Sequence, residues 1–156
     1  SYSHRAHSTA SEFPTLFFIF ALHNKLRSIT INMKPNSLDV IDTIIDCLSP
    51  DLLKPEYINK NKINPLHGHC YVATEAFYHL MSEEEKKEFS PAIIKVGNIT
   101  HWFLINDDND QVIDLTSQQF NFKLDYSKSR KCGFLTKKPS KRCLILINRV
   151  YEKSGN

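Results

Sequence analysis

An α+β fold, with helices gathered around a small antiparallel meander, is what this sequence predicts. Three observations predict it. Apolar residues recur at helical spacing before residue 90, short β-rich runs separated by turn residues fill the stretch from 92 to 115, and helical spacing returns after Ser140. That order lacks the regular strand–helix alternation of a doubly wound sheet. With 156 residues, 41% of them hydrophobic, the chain has room for one domain with a real core and not for two. A chain of this length buries roughly two-thirds of its unfolded surface, so neither a disulfide nor a metal is required for stability.

Each element follows from local chemistry. Ser37 is placed to cap a helix reaching about Leu48, in which Leu38, Ile41, Ile44, Ile45 and Leu48 share one face before Ser49-Pro50 ends it. Residues 51–69, rich in Asn, Lys and Pro, read as a loop. The spacing of Ala73, Ala76, Phe77 and Leu80 predicts a helix from about Cys70 to Met81. Ser82 and Glu85 form a capping box for a short charged helix ending near Phe89. Ala92–Val96, Ile99–Ile105 and Gln111–Leu115 are predicted strands, divided by Gly97-Asn98 and by the acidic turn Asp107–Asp110. Ser140 caps a last helix whose apolar face is Cys143, Leu144, Ile147 and Val150.

Residues 1–32 do not read like the rest. They start without Met and mix Ser, His and aromatics without period, whereas Met33-Lys34-Pro35-Asn36-Ser37 looks like an ordinary start running into a helix cap. The expectation is a native start at Met33, a leader over 1–32 that is upstream reading frame or added sequence, and a single domain over 33–156. The run Leu16–Leu22 is about as long as the apolar stretch of a signal peptide, but no A-x-A site follows it. No stretch reaches the roughly 18 apolar residues of a membrane span. Twenty basic against 17 acidic residues, a net charge of +3, exclude a DNA-coating protein or an acidic tail. Four widely spaced cysteines, Cys47, Cys70, Cys132 and Cys143, form neither a disulfide framework nor a zinc ribbon. Free thiols in a cytoplasmic protein, of bacterial or phage origin, are the expectation.

The chemistry gathers at Cys70. A helix start offers unpaired N–H groups and the positive end of the dipole, which stabilise a thiolate, and a neighbouring imidazolium adds to the effect. His101, near the start of a strand, can take the thiol proton and return it to a leaving group. Asp114, on the next strand of the meander, can hold the second imidazole nitrogen and fix its tautomer. Taken singly, each residue has an ordinary structural role; the ordered set is what points to catalysis.

At Gly68-His69-Cys70-Tyr71-Val72-Ala73, Thr100-His101-Trp102-Phe103-Leu104 and Val112-Ile113-Asp114-Leu115-Thr116, about a third of the chain resembles the transglutaminase-like cysteine proteins, relatives of papain-type peptidases and arylamine acetyltransferases. The resemblance implies a nucleophile helix packed on an antiparallel sheet, with Cys70 the nucleophile, His101 the general base and acid, and Asp114 the orienting carboxylate. Those families often carry an aromatic or Gln upstream of the nucleophile to bind the oxyanion, and the residue six before Cys70 is Asn64. The backbone N–H of Cys70 is a second donor. His69 and Trp102 flank the pair, Trp102 as a possible cleft wall. A cysteine hydrolase or acyltransferase acting on an amide or ester carbonyl through a thioester, without a cofactor, is the function expected.

Two rivals stand beside it. His67, His69, Cys70 and His101, with Asp114, are acceptable zinc ligands for a metal-dependent hydrolase, although no paired signature such as HExxH is present. Lys128, Arg130, Lys131, Lys137, Lys138, Lys141 and Arg142 form a basic segment without an acid. With the donors of the Ser140 helix start, Lys137, Lys138 and Arg142 could bind a phosphate-bearing or acidic ligand, or make the chain a nucleic-acid binding module.

Overall fold

The computed structural model describes residues 37–155. The leader over 1–32, the start at Met33 and the side chains of Ser37 and Leu38 lie outside the described residues.

Among the described residues, five α-helices and four strands follow in the order α1 (Ser37–Asp46), α2 (Ile58–Ile63), α3 (Cys70–Leu80), α4 (Glu83–Lys86), β1 (Phe89–Val96), β2 (Ile99–Asn106), β3 (Val112–Ile113), β4 (Arg130–Lys131) and α5 (Lys141–Ser154). The strands make one antiparallel sheet in the order β3-β2-β1-β4. The fold is α+β, with helices on a small antiparallel sheet and a C-terminal helix. No helix among the described residues is long and apolar enough to cross a membrane.

The apolar stripes explain the packing. Ala73, Ala76, Phe77 and Leu80 of α3 are all buried, and they meet Ile41, Ile44 and Ile45 of α1 and Cys143, Leu146 and Val150 of α5 in the main core. Leu104, Ile113 and Leu115 close that core from the sheet side. A smaller cluster of Ala92, Ile94, Phe103, Ile105 and Leu124 packs with Phe120 and Tyr126. Alternation along β2 therefore sends successive side chains into two different apolar environments.

Several boundaries differ from expectation. The stretch 51–69 is not a plain loop: Pro50–Leu52 and Pro55–Tyr57 form single 3₁₀ turns, each opened by its proline, and α2 follows. The sheet has four strands rather than three, because Arg130 and Lys131 pair with Ile93 and Ala92 on the free edge of β1. No sequence signal marks that pair as β, and the pairing is supplied by the edge it meets. In α5 Leu144 is 54% exposed and Leu146 takes the core position, so the buried stripe is Cys143, Leu146 and Val150. The Ser82–Glu85 capping box is present as expected, with Ser82 Oγ accepting from the Glu85 N–H and the Glu85 carboxylate accepting from the Ser82 N–H. Ser140 likewise caps α5 through the Cys143 N–H.

The β1–β2 hairpin turns on Gly97 at φ +60°, with Val96 opposite Ile99. A two-residue loop with glycine in the left-handed region at its first position matches the right-handed twist of the strands. That turn sets the register placing His101 opposite Ile94.

Candidate active site

β3 pairs with β2 only at Leu104–Ile113 and Ile105–Val112, so the edge of β2 from Ile99 to Phe103 has no strand beside it. The start of α3 approaches there. Cys70 is the first residue of α3, and its Sγ lies 3.8 Å from the Thr100 carbonyl oxygen on β2. The first N–H groups of a helix have no partner within it, so they are available beside the sulfur. Gly68 makes this approach possible. Its φ is +86°, and a Cβ there would sit 2.7 Å from Tyr57 Cβ and 2.8 Å from Leu53 Cδ2.

His101 and Asp114 are both fully buried, with His101 Nε2 2.6 Å from Asp114 Oδ2. The carboxylate is saturated: Oδ2 also accepts from the Tyr126 hydroxyl at 2.8 Å, and Oδ1 accepts from the Thr116 N–H at 3.1 Å. With Nε2 committed to Asp114, Nδ1 is the ring nitrogen left for another partner, and the nearby Cys70 favours the charged imidazole. Gln119 Nε2 stands 3.0 Å from the same Nδ1. Phe103 stacks on the imidazole, and Phe120 meets it edge-on at 4.9 Å between centroids. Burial works against the imidazolium, but the Asp114 charge and hydrogen bond, with the Cys70 thiol, outweigh it and push His101 up to about 10.

Above this pair lies a cleft of about 280 Å³. Cys70, Thr100, Trp102 and Gln119 line it, with Tyr57, His67 and Tyr71 around the mouth, while His101 is covered. Trp102 is held at 4.8 Å edge-to-face by Tyr71 and stacks on Phe134 at 6.1 Å. Lys54 and Arg142 also line the cleft, and no aspartate or glutamate does.

The remaining expected residues fall elsewhere. Asn64 does not line the cleft. Its Oδ1 accepts the Leu66 N–H, and its Nδ2 donates to the backbone carbonyl of Gln119 at 3.1 Å. The side-chain amide facing the imidazole therefore comes from Gln119, in the 3₁₀ turn Ser117–Gln119, and Asn64 anchors that turn. His69 is buried away from the cleft, with Nε2 3.0 Å from the Ser49 carbonyl and Nδ1 3.1 Å from that of Pro65. Burial pulls its pKa down, as it does for His67. Both ring nitrogens of His69 are thus engaged with the backbone, and among the described residues no group of three or more His, Cys, Asp and Glu side chains is placed to hold a metal ion.

Lys137 and Lys138 are exposed and do not line the cleft, whereas Arg142 does. Nor is the α5 N-terminus free for a phosphate. The Ser140 N–H donates to Glu75 Oε2 at 2.9 Å and the Ser140 hydroxyl to Glu75 Oε1 at 2.6 Å, filling that end with a buried carboxylate from α3. In the rest of the basic segment Lys131 pairs with Asp107 at 3.1 Å. Sequence reasoning missed Gln119 and Lys54 and gave Tyr126 no polar role. All three sit on turns or loops whose return to the site is a tertiary matter.

No protein-family model, no curated protein and no solved structure matches this chain.

Proposed function

We propose that the protein is a cysteine-dependent hydrolase or acyltransferase acting on an amide or ester carbonyl. The observation that carries the proposal is the fully buried His101–Asp114 pair at 2.6 Å, whose imidazole interacts with the thiol of Cys70, a residue that lines an open cleft. A buried ion pair of this kind is costly to maintain for stability alone. It is well suited to orient a base.

In the proposed cycle the proton of Cys70 already rests on His101 Nδ1, and the Sγ thiolate attacks the carbonyl carbon. The negative oxygen that forms is met by the backbone N–H of Cys70 and by the Gln119 amide, which has no acceptor on Nδ1 while that nitrogen is protonated. Collapse breaks the bond to the leaving group, and His101 returns the proton to the departing amine or alcohol. Water, or an acceptor amine, then attacks the thioester while His101 takes its proton, releasing the acyl group and restoring the thiolate. Tyr126 and Thr116 hold Asp114 still throughout. Membership of the transglutaminase-like cysteine proteins is part of this proposal, supported by the order of helix-start Cys, strand His and following Asp. A cytoplasmic, reducing setting is part of it too, supported by free thiols at Cys47, Cys70, Cys132 and Cys143.

Iodoacetamide labelling followed residue by residue by mass spectrometry tests the central pair. Cys70 labels rapidly below pH 7, and His101→Ala slows it by at least about tenfold. Cys143 stays inert, because burial and the nearby Glu75 push its thiol up. If Cys70 labels no faster than Cys47 or Cys132, the catalytic reading fails in its nucleophile.

A further inference from the structure

The Cys70 cleft is charged with one sign only. Lys54 and Arg142 line it, and among the described residues no ion pair forms to either. Arg149, two turns further along α5, makes the contrast: its guanidinium is satisfied by Asp51. Arg142 instead donates Nη1 to the Leu52 carbonyl at 3.1 Å, which fixes it beside the segment that carries Lys54 two residues later. Both cations line the cleft, while Tyr71 and Trp102 supply an aromatic wall. Two cations with no acidic partner on a concave surface favour a bound anion.

We infer that the substrate of this site carries a carboxylate close to its scissile carbonyl, held by Lys54 and Arg142 while the acyl chain lies against Trp102 and Tyr71. The inference rests on the Cys70–His101–Asp114 reading. Two monovalent cations, one of them a planar guanidinium, suit a carboxylate. A phosphate group calls for further donors, usually backbone N–H groups at a helix start. The α5 start beside Arg142 is already filled by Glu75, and the α3 start serves the reacting centre. Lys54 and Arg142 therefore select among acyl donors without taking part in bond making.

Labelling of the full chain tests this. Rates at Cys70 are measured with iodoacetate and iodoacetamide, which differ in the carboxylate, in wild type, Lys54→Gln, Arg142→Gln and, as a control away from the cleft, Lys62→Gln. The iodoacetate-to-iodoacetamide ratio falls about fivefold in Lys54→Gln and Arg142→Gln and keeps its wild-type value in Lys62→Gln, the scale expected of partly exposed charge pairs. Lys54 is exposed, and its only structural bond here is made by the backbone carbonyl, which Lys54→Gln keeps, so its variant decides the matter even if loss of the Arg142–Leu52 bond loosens the fold. Glutarate protects Cys70 from iodoacetamide at fixed ionic strength and glutaramide does not. An unchanged ratio in Lys54→Gln, or equal protection by glutaramide, overturns the carboxylate assignment while rapid, His101-dependent iodoacetamide labelling keeps the triad. Stronger protection by inorganic phosphate overturns it in favour of a phosphorylated substrate. If Cys70 is inert to both reagents, the inference falls together with the triad reading.

Discussion

Replacing Asp114 by asparagine removes one charge from the middle of the site and nearly preserves its shape. The buried carboxylate accepts from buried His101, from half-buried Tyr126 and from the buried Thr116 N–H. The amide can still accept from Thr116, but its NH₂ then faces two donors, so the imidazole must surrender the Nε2–H tautomer. The effect on stability has a definite sign. His101 is raised from the ordinary 6.5 to about 10 in the folded protein, so the favourable contribution is complete below about pH 6.5 and is lost as pH rises toward 10. At about 1.4 kcal/mol per unit, the wild type gives up about 3 kcal/mol of it between pH 6.5 and pH 9. Asp114→Asn has no such contribution to lose. Urea denaturation at several pH values measures both curves: the wild type exceeds the variant by the most near pH 6, and the gap closes by about 3 kcal/mol at pH 9. Thermal melts should show the same convergence, by about 10 °C for a domain of this size. Parallel stability curves for the two proteins across this range would refute the coupling between His101 and Asp114. Cys70 labelling in the variant, slowed by at least tenfold, is the independent readout of the wrong tautomer.

Other substitutions probe the supports of the site. Gly68→Ala forces a left-handed residue and a Cβ against Tyr57 and Leu53, which should cost about 2 kcal/mol or more in urea denaturation and slow Cys70 labelling by shifting the start of α3. Tyr126→Phe removes one of the Asp114 donors and leaves the ring packed against Phe103; a loss of about 1 kcal/mol is expected, with labelling of Cys70 slowed less than in His101→Ala. Ser140→Ala should cost about 1 kcal/mol as a lost cap and more for stranding the Glu75 carboxylate, and a double-mutant cycle with Glu75→Gln should show coupling well above zero.

What could be read from the sequence was what depends on local periodicity. Ala73, Ala76, Phe77 and Leu80 repeat at helical spacing, and α3 buries all four. The glycine turn and the acidic turn mark the meander, so the adjacency of the His101 strand and the segment leading to Asp114 followed from short loops, although the strand expected over Gln111–Leu115 is only Val112–Ile113 and Asp114 lies just past its end. Gln119 had no such signal. It reaches Nδ1 because Asn64, fifty-five residues away, holds its carbonyl, and a pairing at that separation leaves no trace in spacing. The oxyanion amide was sought upstream of Cys70 on the family pattern; Asn64 is there, but its amide is spent on the backbone. Arg130 and Lys131 read as part of a charged loop because a strand on a sheet edge needs no apolar face of its own. Leu144 and Leu146 could not be told apart by residue type, since both are leucine and the phase of the α5 stripe is set by what α3 presents to it.

The Glu75–Ser140 clasp also bears on how the protein is made. Glu75 lies on the helix that begins with Cys70, and its partner is sixty-five residues later in the chain. During synthesis α3 emerges with a carboxylate in its apolar face that nothing yet synthesised can satisfy. Stable docking of α3 must therefore wait for the start of α5, which also delivers Arg142 to the cleft. A nascent chain that ends before Ser140 would leave Glu75 without this partner. The fold thereby ties firm seating of the helix that carries Cys70 to arrival of the last helix.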